Sequence, residues 1–408
     1  MTDETVETLV IGGGQAGLAM SAHLRKRGRD HLVLERGRVA ERWRSWRWDA
    51  LRANGPAWHD RFPDQIFEGI DPDAFPSRDE LARYFETFAE RIAAPVRCGV
   101  EVTRLRRDAD GAGYRAETSH GAVRARNVVL ATGPFQKPLI PACAAELAGV
   151  VQMHSTDYRN PAQLPEGAAL VVGGGSSGAQ IAEELARAGR RVFLSVGAHD
   201  RPPRRYRGRD YCWWLGVLGK WDAKAPAPGT EHIAIAVSGA YGGRTMDFRR
   251  LAEQGVTLLG RIGAARGGAL EIAPDLAGNI ARGDANYLSV LREADAYAAR
   301  HGLDLPPEPE AHRLGPLPAC VADPILRLDL AAEGIGAIVW ATGFALDFGW
   351  VEIDVFDAEG RPRHADGVSD VPGLYFLGLP WLTCRGSSFI WGAWRDAETL
   401  AGHIDARG

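Results

Sequence analysis

The sequence contains the same glycine-rich pattern twice, and this repeat constrains the fold more than any other feature. Gly12, Gly14 and Gly17 follow a short apolar run and open a stretch with helical periodicity, and the same spacing recurs 161 residues later. A strand, a glycine turn and a helix in this order are typical of the βαβ unit that binds a dinucleotide. The sequence therefore predicts two such units in one chain.

Each glycine of the first unit has its own predicted role. The first makes the tight turn, the second lets the backbone approach a pyrophosphate, and the third lets the helix pack closely on the strand. Glu35 ends the second strand, 23 residues after Gly12, where its carboxylate can accept hydrogen bonds from a ribose diol. The unpaired N–H groups at the start of the helix are expected to face the phosphates.

The second unit repeats the loop with serines inside it. Its glycines are Gly173, Gly175 and Gly178. The hydroxyl groups of Ser176 and Ser177 stand at the start of the following helix, so we expect them to form hydrogen bonds with a pyrophosphate. The second loop therefore predicts a second nucleotide site.

The two units differ at the end of their second strands. Val196 stands where the first unit has Glu35, so the acid that would repel a ribose 2′-phosphate is absent. An arginine cluster follows, with Arg201, Arg204 and Arg205 as the candidate ligands. Because guanidinium groups bind phosphate bidentately, the cluster favours NADPH over NADH, and a solvated basic loop is the alternative interpretation.

Composition narrows the class of protein and of partner. The 408 residues are 45% hydrophobic and 25% charged with a formal net charge of -4, which is typical of a globular chain and gives no reason to expect a nucleic acid or a membrane as partner. No basic leader and no apolar run of about 18 residues is evident, so we expect a cytoplasmic protein. The five cysteines are scattered singly, which predicts reduced thiols, no bound metal and no redox disulfide.

The order of the patterns along the chain predicts how the two units are arranged. Each unit leads to a buried strand that ends in Ala-Thr-Gly, at 131–133 and 341–343, and the chain closes with a strand that reaches Gly378 and a helix. This order predicts an α/β fold with two Rossmann-like dinucleotide-binding domains, the second inserted into the first. We expect residues 1–148 and 325–408 to form the first domain and residues 149–324 the second.

Taken together, the two loops, the two Ala-Thr-Gly turns and the returning C-terminal strand and helix resemble the flavin-containing monooxygenases of the short bacterial and plant type. The resemblance implies FAD in the first domain and NADPH in the second, with NADH as an option. Matched by motif, the FAD ligands are Gly12, Gly14, Gln15, Ala16, Gly17, Glu35, Arg36, Trp43 and Val102. Further cofactor-binding candidates are Ala131, Thr132, Gly133, Gly343 and Gly378.

One segment, "ANGPAWHDRFPD" at 53–64, resembles the active-site segment of that family. The resemblance makes Asn54 the catalytic candidate, because an asparagine there contacts the flavin edge where oxygen reacts. Its amide could act on a flavin C4a-hydroperoxide or fix the nicotinamide. From the residues alone, Asn-Gly-Pro is a turn.

Between the domains, His154 and Tyr158 retain part of the family's linker motif. Baeyer–Villiger relatives carry Trp at the position of Tyr158, so the tyrosine favours oxidation of a heteroatom, and His154 is expected to order the linker. Aromatic side chains are also expected around a substrate pocket, with plain core packing as the alternative. The candidates are Trp58, Trp213, Trp214, Phe389 and Trp391.

The resemblance implies an FAD-dependent, NADPH-using monooxygenase that forms a C4a-hydroperoxyflavin and oxygenates a small organic substrate. Oxidation at nitrogen or sulfur and oxidation at a carbonyl carbon both stay open. An NAD(P)H-dependent flavin reductase or oxidase without substrate oxygenation is one alternative, and a non-catalytic flavin-binding sensor is another. The expected partners are O2 and a small molecule, and the oligomeric state is open, with a homodimer as one option.

Overall fold

The computed structural model describes residues 4–108, 111, 113–226 and 234–407. Its strands are Glu4–Ile11 (β1), His31–Glu35 (β2), Val96–Cys98 (β3), Val102–Arg107 (β4), Tyr114–Thr118 (β5), Gly121–Leu130 (β6), Lys137–Pro138 (β7), Val151–His154 (β8), Ala168–Val172 (β9), Val192–Ser195 (β10), His199–Asp200 (β11), Arg205–Tyr206 (β12), Arg209–Asp210 (β13), Ala234–Ile235 (β14), Val256–Leu259 (β15), Ile262–Arg266 (β16), Ala269–Ile272 (β17), Arg327–Asp329 (β18), Ile335–Trp340 (β19), Phe344–Ala345 (β20), His364–Ala365 (β21), Val368–Ser369 (β22) and Leu374–Phe376 (β23). Its α-helices are Gln15–Lys26 (α1), Glu41–Ser45 (α2), Arg78–Arg91 (α3), Ser176–Arg187 (α4), Tyr211–Val217 (α5), Phe248–Glu253 (α6), Leu276–Arg300 (α7), Ala319–Ala322 (α8) and Ile390–Ala406 (α9).

The first sheet combines the N-terminal unit with the C-terminal end of the chain. Its strands lie in the order β21-β22-β23-β6-β1-β2-β3, with β4 and β5 added beyond β6. The pairs that β1 makes with β2 and β6, and that β6 makes with β23, are parallel, so the carboxyl ends of these strands meet at one edge. The predicted return of the C-terminal strand to the first unit is therefore confirmed.

The second sheet is parallel throughout and has the order β15-β10-β9-β19-β8. Strand β19, which leads to the second Ala-Thr-Gly turn, pairs with β8 and β9 and thus belongs to this sheet. The predicted domain boundary at residue 325 is wrong in this respect, because β18 and β19 lie beyond it and do not pair with the first sheet. The chain returns to the first sheet only after residue 340.

Both glycine loops lie where a parallel sheet offers a nucleotide site. The first follows β1, between β2 and β6, and the second follows β9, between β10 and β19. At such points the connections leave toward opposite sides of the sheet and open a crevice beyond the carboxyl ends of the strands. The described core residues Leu9, Val10 and Leu170 beneath the loops are fully buried, so each loop rests on a closely packed base.

The start of the helix after each glycine loop is left open. Helix α3 carries a complete capping box, in which Ser77 and Glu80 bond each other's backbone N–H groups. Helices α1 and α4 instead begin after Gly14 and Gly175, and neither has a side-chain cap. Their first N–H groups therefore stay available for an external anion.

No helix among the residues that the structure describes has both the length and the hydropathy needed to cross a membrane.

A buried histidine between α1 and α9 makes stability depend on pH. The ring of His23 packs at 4.4 Å from the ring of Trp394, and neither of its ring nitrogens has a hydrogen-bond partner among the residues that the structure describes. Burial, together with Lys26 and Arg27, lowers the pKa of His23 from 6.5 to about 4. The unfolded chain therefore binds a proton between these two pH values that the folded chain does not.

We expect the free energy of unfolding to fall as the pH decreases from 6.5 toward 4, by about 3 kcal/mol from His23 alone. Urea unfolding at pH 7 and pH 4.5 would measure this loss. In His23→Leu the loss should shrink by most of that amount. An equal pH dependence in the wild type and the variant would contradict the assignment.

Candidate functional site: two nucleotide clefts and the asparagine beside them

The first glycine loop packs directly against the first Ala-Thr-Gly turn. A Cβ at Gly12, where φ is +114°, would lie 2.6 Å from the carbonyl oxygen of Ala131. A Cβ at Gly17 would lie 1.8 Å from the carbonyl oxygen of Gly12. Only glycine fits at these two positions, so strand, turn and helix approach as closely as the motif predicts.

The second loop repeats this packing atom for atom. A Cβ at Gly173 would lie 2.4 Å from the carbonyl oxygen of Ala341, and one at Gly178 would lie 1.9 Å from that of Gly173. Both Ala-Thr-Gly turns therefore support a glycine loop from the neighbouring parallel strand. This explains why the two patterns occur together twice in one sequence.

A cleft of about 540 Å³ opens above the first loop. It is lined by most of the residues that the sequence assigned to the first cofactor. These are Gly12, Gly14, Gln15, Ala16, Glu35, Arg36, Trp43, Val102, Ala131, Thr132, Gly133 and Gly378. Gly17 lies beneath the cleft, where its role is packing. A Cβ at Gly14 would meet no atom within 4 Å, so the backbone there is open to a ligand.

Glu35 is fixed at the end of β2 by two backbone amides. Its Oε2 accepts from the N–H of Gly13 at 2.7 Å, and its Oε1 accepts from the N–H of Gly37 at 2.8 Å. Each carboxylate oxygen retains a second lone pair that can accept from a ribose hydroxyl. The carboxylate is thus oriented before any ligand arrives.

Two arginines that lie outside the sequence motif supply positive charge to this cleft. The guanidinium of Arg42 stacks 3.1 Å from the ring centre of Trp46, and that of Arg47 lies over Phe135. Among the described residues, neither has a carboxylate partner, and burial lowers the pKa of Arg42 to about 9 and that of Arg47 to about 10. A partly desolvated cation that no carboxylate contacts directly fits an anionic ligand such as a pyrophosphate.

Replacing Arg42 should weaken the binding of a dinucleotide in this cleft. We expect Arg42→Gln to raise the dissociation constant of FAD by roughly tenfold, because one charge-assisted contact is lost. Reconstitution of the apoprotein, followed by flavin fluorescence, measures this constant. Arg38→Gln is the matched control, since Arg38 is exposed and already bonds Glu41. A loss of the same size in both variants would contradict the role of Arg42.

A larger cleft of about 1540 Å³ lies above the second loop and shares Pro134 and Phe135 with the first. Gly173, Gly175, Ser176, Ser177, Gly343 and Asn54 line it. The hydroxyl of Ser176 donates to the carbonyl oxygen of Ile235 at 2.7 Å, so it ties the neighbouring chain to the loop. Of the two serines, only Ser177 has a hydroxyl without a partner among the described residues.

The arginine cluster does not face this cleft, and the prediction for it is wrong. Arg201 is 3% exposed and pairs with Asp284, and Arg204 is 1% exposed and holds Asp210 with two bonds. These carboxylates satisfy the guanidinium groups and remove them from solvent, so neither a phosphate ligand nor a solvated loop describes them. Arg205 is exposed on the β12–β13 hairpin and does not line the cleft.

The comparison of the two strand ends holds in space as well as in sequence. A Cβ at Gly13 would lie 2.8 Å from the Cβ of Glu35, and a Cβ at the matching Gly174 would lie 3.1 Å from Cγ1 of Val196. Val196 therefore occupies the place of the ribose acid. The cation beside it is Arg261, from the connection after β15, which lines the cleft with Gly197 and Ala198. Only the sheet order brings this residue near, so sequence spacing gave no signal for it.

Asn54 lies at the larger cleft and is held by the second unit. Its Oδ1 accepts from Nε2 of Gln180 on α4 at 3.1 Å, and its carbonyl oxygen accepts from Nη1 of Arg204. Asp60 Oδ2 accepts from the N–H of Gly55 at 2.9 Å and so fixes the turn. Thus Arg204 positions the candidate catalytic residue instead of binding a phosphate.

An aromatic cluster continues from the larger cleft behind Phe389. His59 bonds Asp60 through Nδ1 at 2.7 Å and lies between the rings of Trp58, Trp221 and Trp391. Phe389 lines the cleft and contacts Trp221. By contrast, the predicted pocket walls Trp213 and Trp214 pack against Tyr297 of α7 and do not line the cleft. Trp214 is a core residue of that region, and Trp213 is partly buried beside it.

Comparisons with known proteins place this arrangement in a class. Residues 9–211 match the family model described as pyridine nucleotide-disulphide oxidoreductase. An uncharacterized oxidoreductase, CzcO-like, of Geobacillus kaustophilus is 33% identical over 403 residues, which cover 98% of each chain. The indole-3-pyruvate monooxygenase YUCCA1 of Oryza sativa subsp. japonica is 32% identical over 192 residues, which cover 46% of this chain and 47% of that protein.

Solved structures share the fold. A mutant of the flavin monooxygenase from Stenotrophomonas maltophilia superimposes with a TM-score of 0.68 at 19% identity, covering 99% of both chains. A steroid monooxygenase in its oxidized form, bound to NADP, gives a TM-score of 0.59 at 18% identity, covering 99% of this chain and 87% of the other. The two clefts and these likenesses define the fold of a flavoprotein with two dinucleotide-binding units.

The chain belongs to the same family as the CzcO-like oxidoreductase of Geobacillus kaustophilus, and it is an oxidoreductase. Flavoproteins with this fold bind FAD and NAD(P)H. The residues present fit both groups: each glycine loop has an uncapped helix start, the first cleft holds two arginines without carboxylate partners, and Glu35 is oriented for a ribose. All five cysteines are free thiols, so the chain holds no disulfide.

Proposed function

We propose that this protein is an NADPH-dependent monooxygenase that transfers one oxygen atom from O2 to a small organic substrate. Bound FAD would supply the oxygen activation, and NADPH would supply the reducing equivalents. Nitrogen, sulfur and carbonyl carbon are the candidate positions of attack. The proposal also assigns FAD to the cleft above the first glycine loop and NADPH to the cleft above the second.

The observation that carries the proposal is the position of Asn54. It lines the larger cleft, which meets the FAD cleft at Pro134 and Phe135, and two side chains of the second unit hold it. Gln180 occupies the amide oxygen of Asn54, so the amide nitrogen is left as a donor toward the cleft. A fixed donor beside the reacting groups can stabilise charge that develops on oxygen.

The surroundings of Asn54 favour chemistry that must be protected from water. Phe389, Trp221 and Trp391 form an apolar wall next to the cleft, and Trp221 is almost fully buried. Phe389 lines the same cleft as Asn54, and aromatic side chains of this kind help to exclude water from a reaction site. Two neighbouring nucleotide clefts, with a held amide and an aromatic wall at the second, support the proposed oxygenation of a substrate.

The second candidate function is a flavin reductase or oxidase that oxidises NADPH without oxygenating a substrate. The five cysteines are unpaired and far apart in sequence, so we expect such an enzyme to pass electrons to another acceptor or to O2. A panel of tertiary amines, sulfides, ketones and indolic acids, scored for oxygenated product and for hydrogen peroxide, distinguishes the two functions. We expect product to account for most of the NADPH consumed with at least one class; peroxide alone with every class would overturn the proposal.

The pairing of β19 with the second sheet shifts the proposed domain boundary toward the C-terminus. We infer that residues 1–148 with the chain after residue 340 carry FAD, and that the intervening segment, including β18 and β19, carries NADPH. Limited proteolysis with and without FAD tests this division, since FAD should protect the first and last segments together.

A further inference from the structure

Arg261 stands where the second cleft can distinguish two nucleotides. It follows β15, the strand that pairs with the outer side of β10, and it therefore reaches the end of β10 from a neighbouring strand. Among the described residues, the side chain nearest to the missing Cβ of Gly197 is that of Arg261, whose Cγ would lie 3.4 Å from it. The stem of Arg261 therefore lies beside the backbone of Gly197, just after the end of β10.

The backbone of Arg261 is fixed on both sides. The N–H of Ala273 donates to its carbonyl oxygen at 2.8 Å, and its own N–H donates to Oδ1 of Asp275 at 3.0 Å. The preceding Gly260 admits no side chain, since a Cβ would lie 2.1 Å from the carbonyl oxygen of Ala273. The side chain of Arg261 therefore extends from a backbone position that hydrogen bonds hold in place.

Asp275 orients the guanidinium of Arg261 and leaves its two terminal amino groups available to a ligand. Nε of Arg261 donates to Oδ2 of Asp275 at 2.6 Å, while neither terminal amino group has a partner among the described residues. The side chain is 68% exposed. Two parallel N–H groups of an oriented guanidinium can donate to two oxygens of one phosphate. They lie beside Val196, which occupies the place of the acid that would bind the ribose, so a 2′-phosphate on that ribose would lie next to them.

We propose that Arg261, anchored by Asp275, is the residue through which this protein selects NADPH over NADH. The inference rests on the proposed function, because it needs NADPH to occupy the cleft above the second loop. It replaces Arg201 and Arg204, which are buried against carboxylates, and Arg205, which lies outside the cleft.

The test compares 2′,5′-ADP with 5′-AMP, which differ only in the 2′-phosphate. Isothermal titration of the FAD-loaded protein gives both dissociation constants without requiring turnover. We expect Arg261→Ala to raise the constant for 2′,5′-ADP by about 30-fold and to leave that for 5′-AMP unchanged. Arg261→Lys should retain a smaller part of the preference, because an ammonium group keeps the charge and loses the fork.

Two further arginine variants complete the test. Arg266→Ala is the matched control, since Arg266 is an exposed arginine paired with Glu271 on the next strand and does not line the cleft. Arg205→Ala tests the competing ligand. Equal preference in Arg261→Ala and the wild type, or a loss in Arg205→Ala, would overturn the inference. If the wild type binds neither nucleotide and does not oxidise NADPH, the proposed function itself fails.

Discussion

Gly17→Ala should yield a protein that no longer retains FAD. The added Cβ would lie 1.8 Å from the carbonyl oxygen of Gly12, a backbone atom of the loop between β1 and helix α1. The helix must move away from the strand, which we expect to cost about 3 kcal/mol of folding free energy and to remove its open N-terminus from the pyrophosphate. The purified variant should be colourless at 450 nm and should unfold at lower urea concentration.

Two matched glycines separate the loss of the fold from the loss of the ligand. Gly402→Ala makes the same change in helix α9, where a Cβ meets no atom within 4 Å, and it should be yellow and as stable as the wild type. Gly14→Ala also meets no protein atom, yet it fills the space left for the pyrophosphate, so it should remain folded and bind FAD weakly. A Gly17→Ala protein that retains stoichiometric FAD would contradict this account of the loop.

Asn54→Ala should uncouple NADPH consumption from product formation. The substitution removes the donor at the cleft, and we expect oxygenated product per unit time to fall roughly 100-fold while hydrogen peroxide rises. Binding of FAD should not change, because Asn54 does not line the first cleft. Product and peroxide quantified in the same assay give the coupling ratio.

Asn54→Asp shows which part of the side chain matters. It keeps an oxygen that can accept from Nε2 of Gln180 and replaces the amide nitrogen, so it should lose product as severely as Asn54→Ala. Gln180→Leu should lower the product more moderately, since the amide stays in place but is no longer oriented. A wild-type coupling ratio in both Asn54 variants would exclude the asparagine from the reaction.

The glycine loops show why the fold could be read from the sequence. A Cβ would overlap a backbone carbonyl at four glycines of the two loops, Gly12, Gly17, Gly173 and Gly178. The glycine motif therefore reflects contacts within one local unit. Local contacts of this kind can be predicted from the spacing of residues in the sequence. The prediction of two dinucleotide-binding units and the absence of an acid at Val196 follow from that spacing alone.

The predictions that were wrong depend on contacts between residues that are far apart in the sequence. Arg201, Arg204 and Arg205 follow β10 in sequence, but Asp284 and Asp210 hold the first two in the interior. Arg261 enters the cleft because β15 pairs beside β10, a fact of sheet order that no local pattern contains. Strand β19 carries the same turn as the first unit, yet only its pairing with β8 and β9 assigns it to the second sheet.

The most direct test of the proposed monooxygenase activity supplies the FAD-loaded protein with NADPH and ¹⁸O2 together with each class of substrate. The account predicts a product that carries one labelled oxygen atom, with the second labelled atom in water and the amount of product close to the NADPH consumed. NADPH oxidation that yields only labelled hydrogen peroxide or water, with no labelled product from any amine, sulfide, ketone or indolic acid, would contradict it.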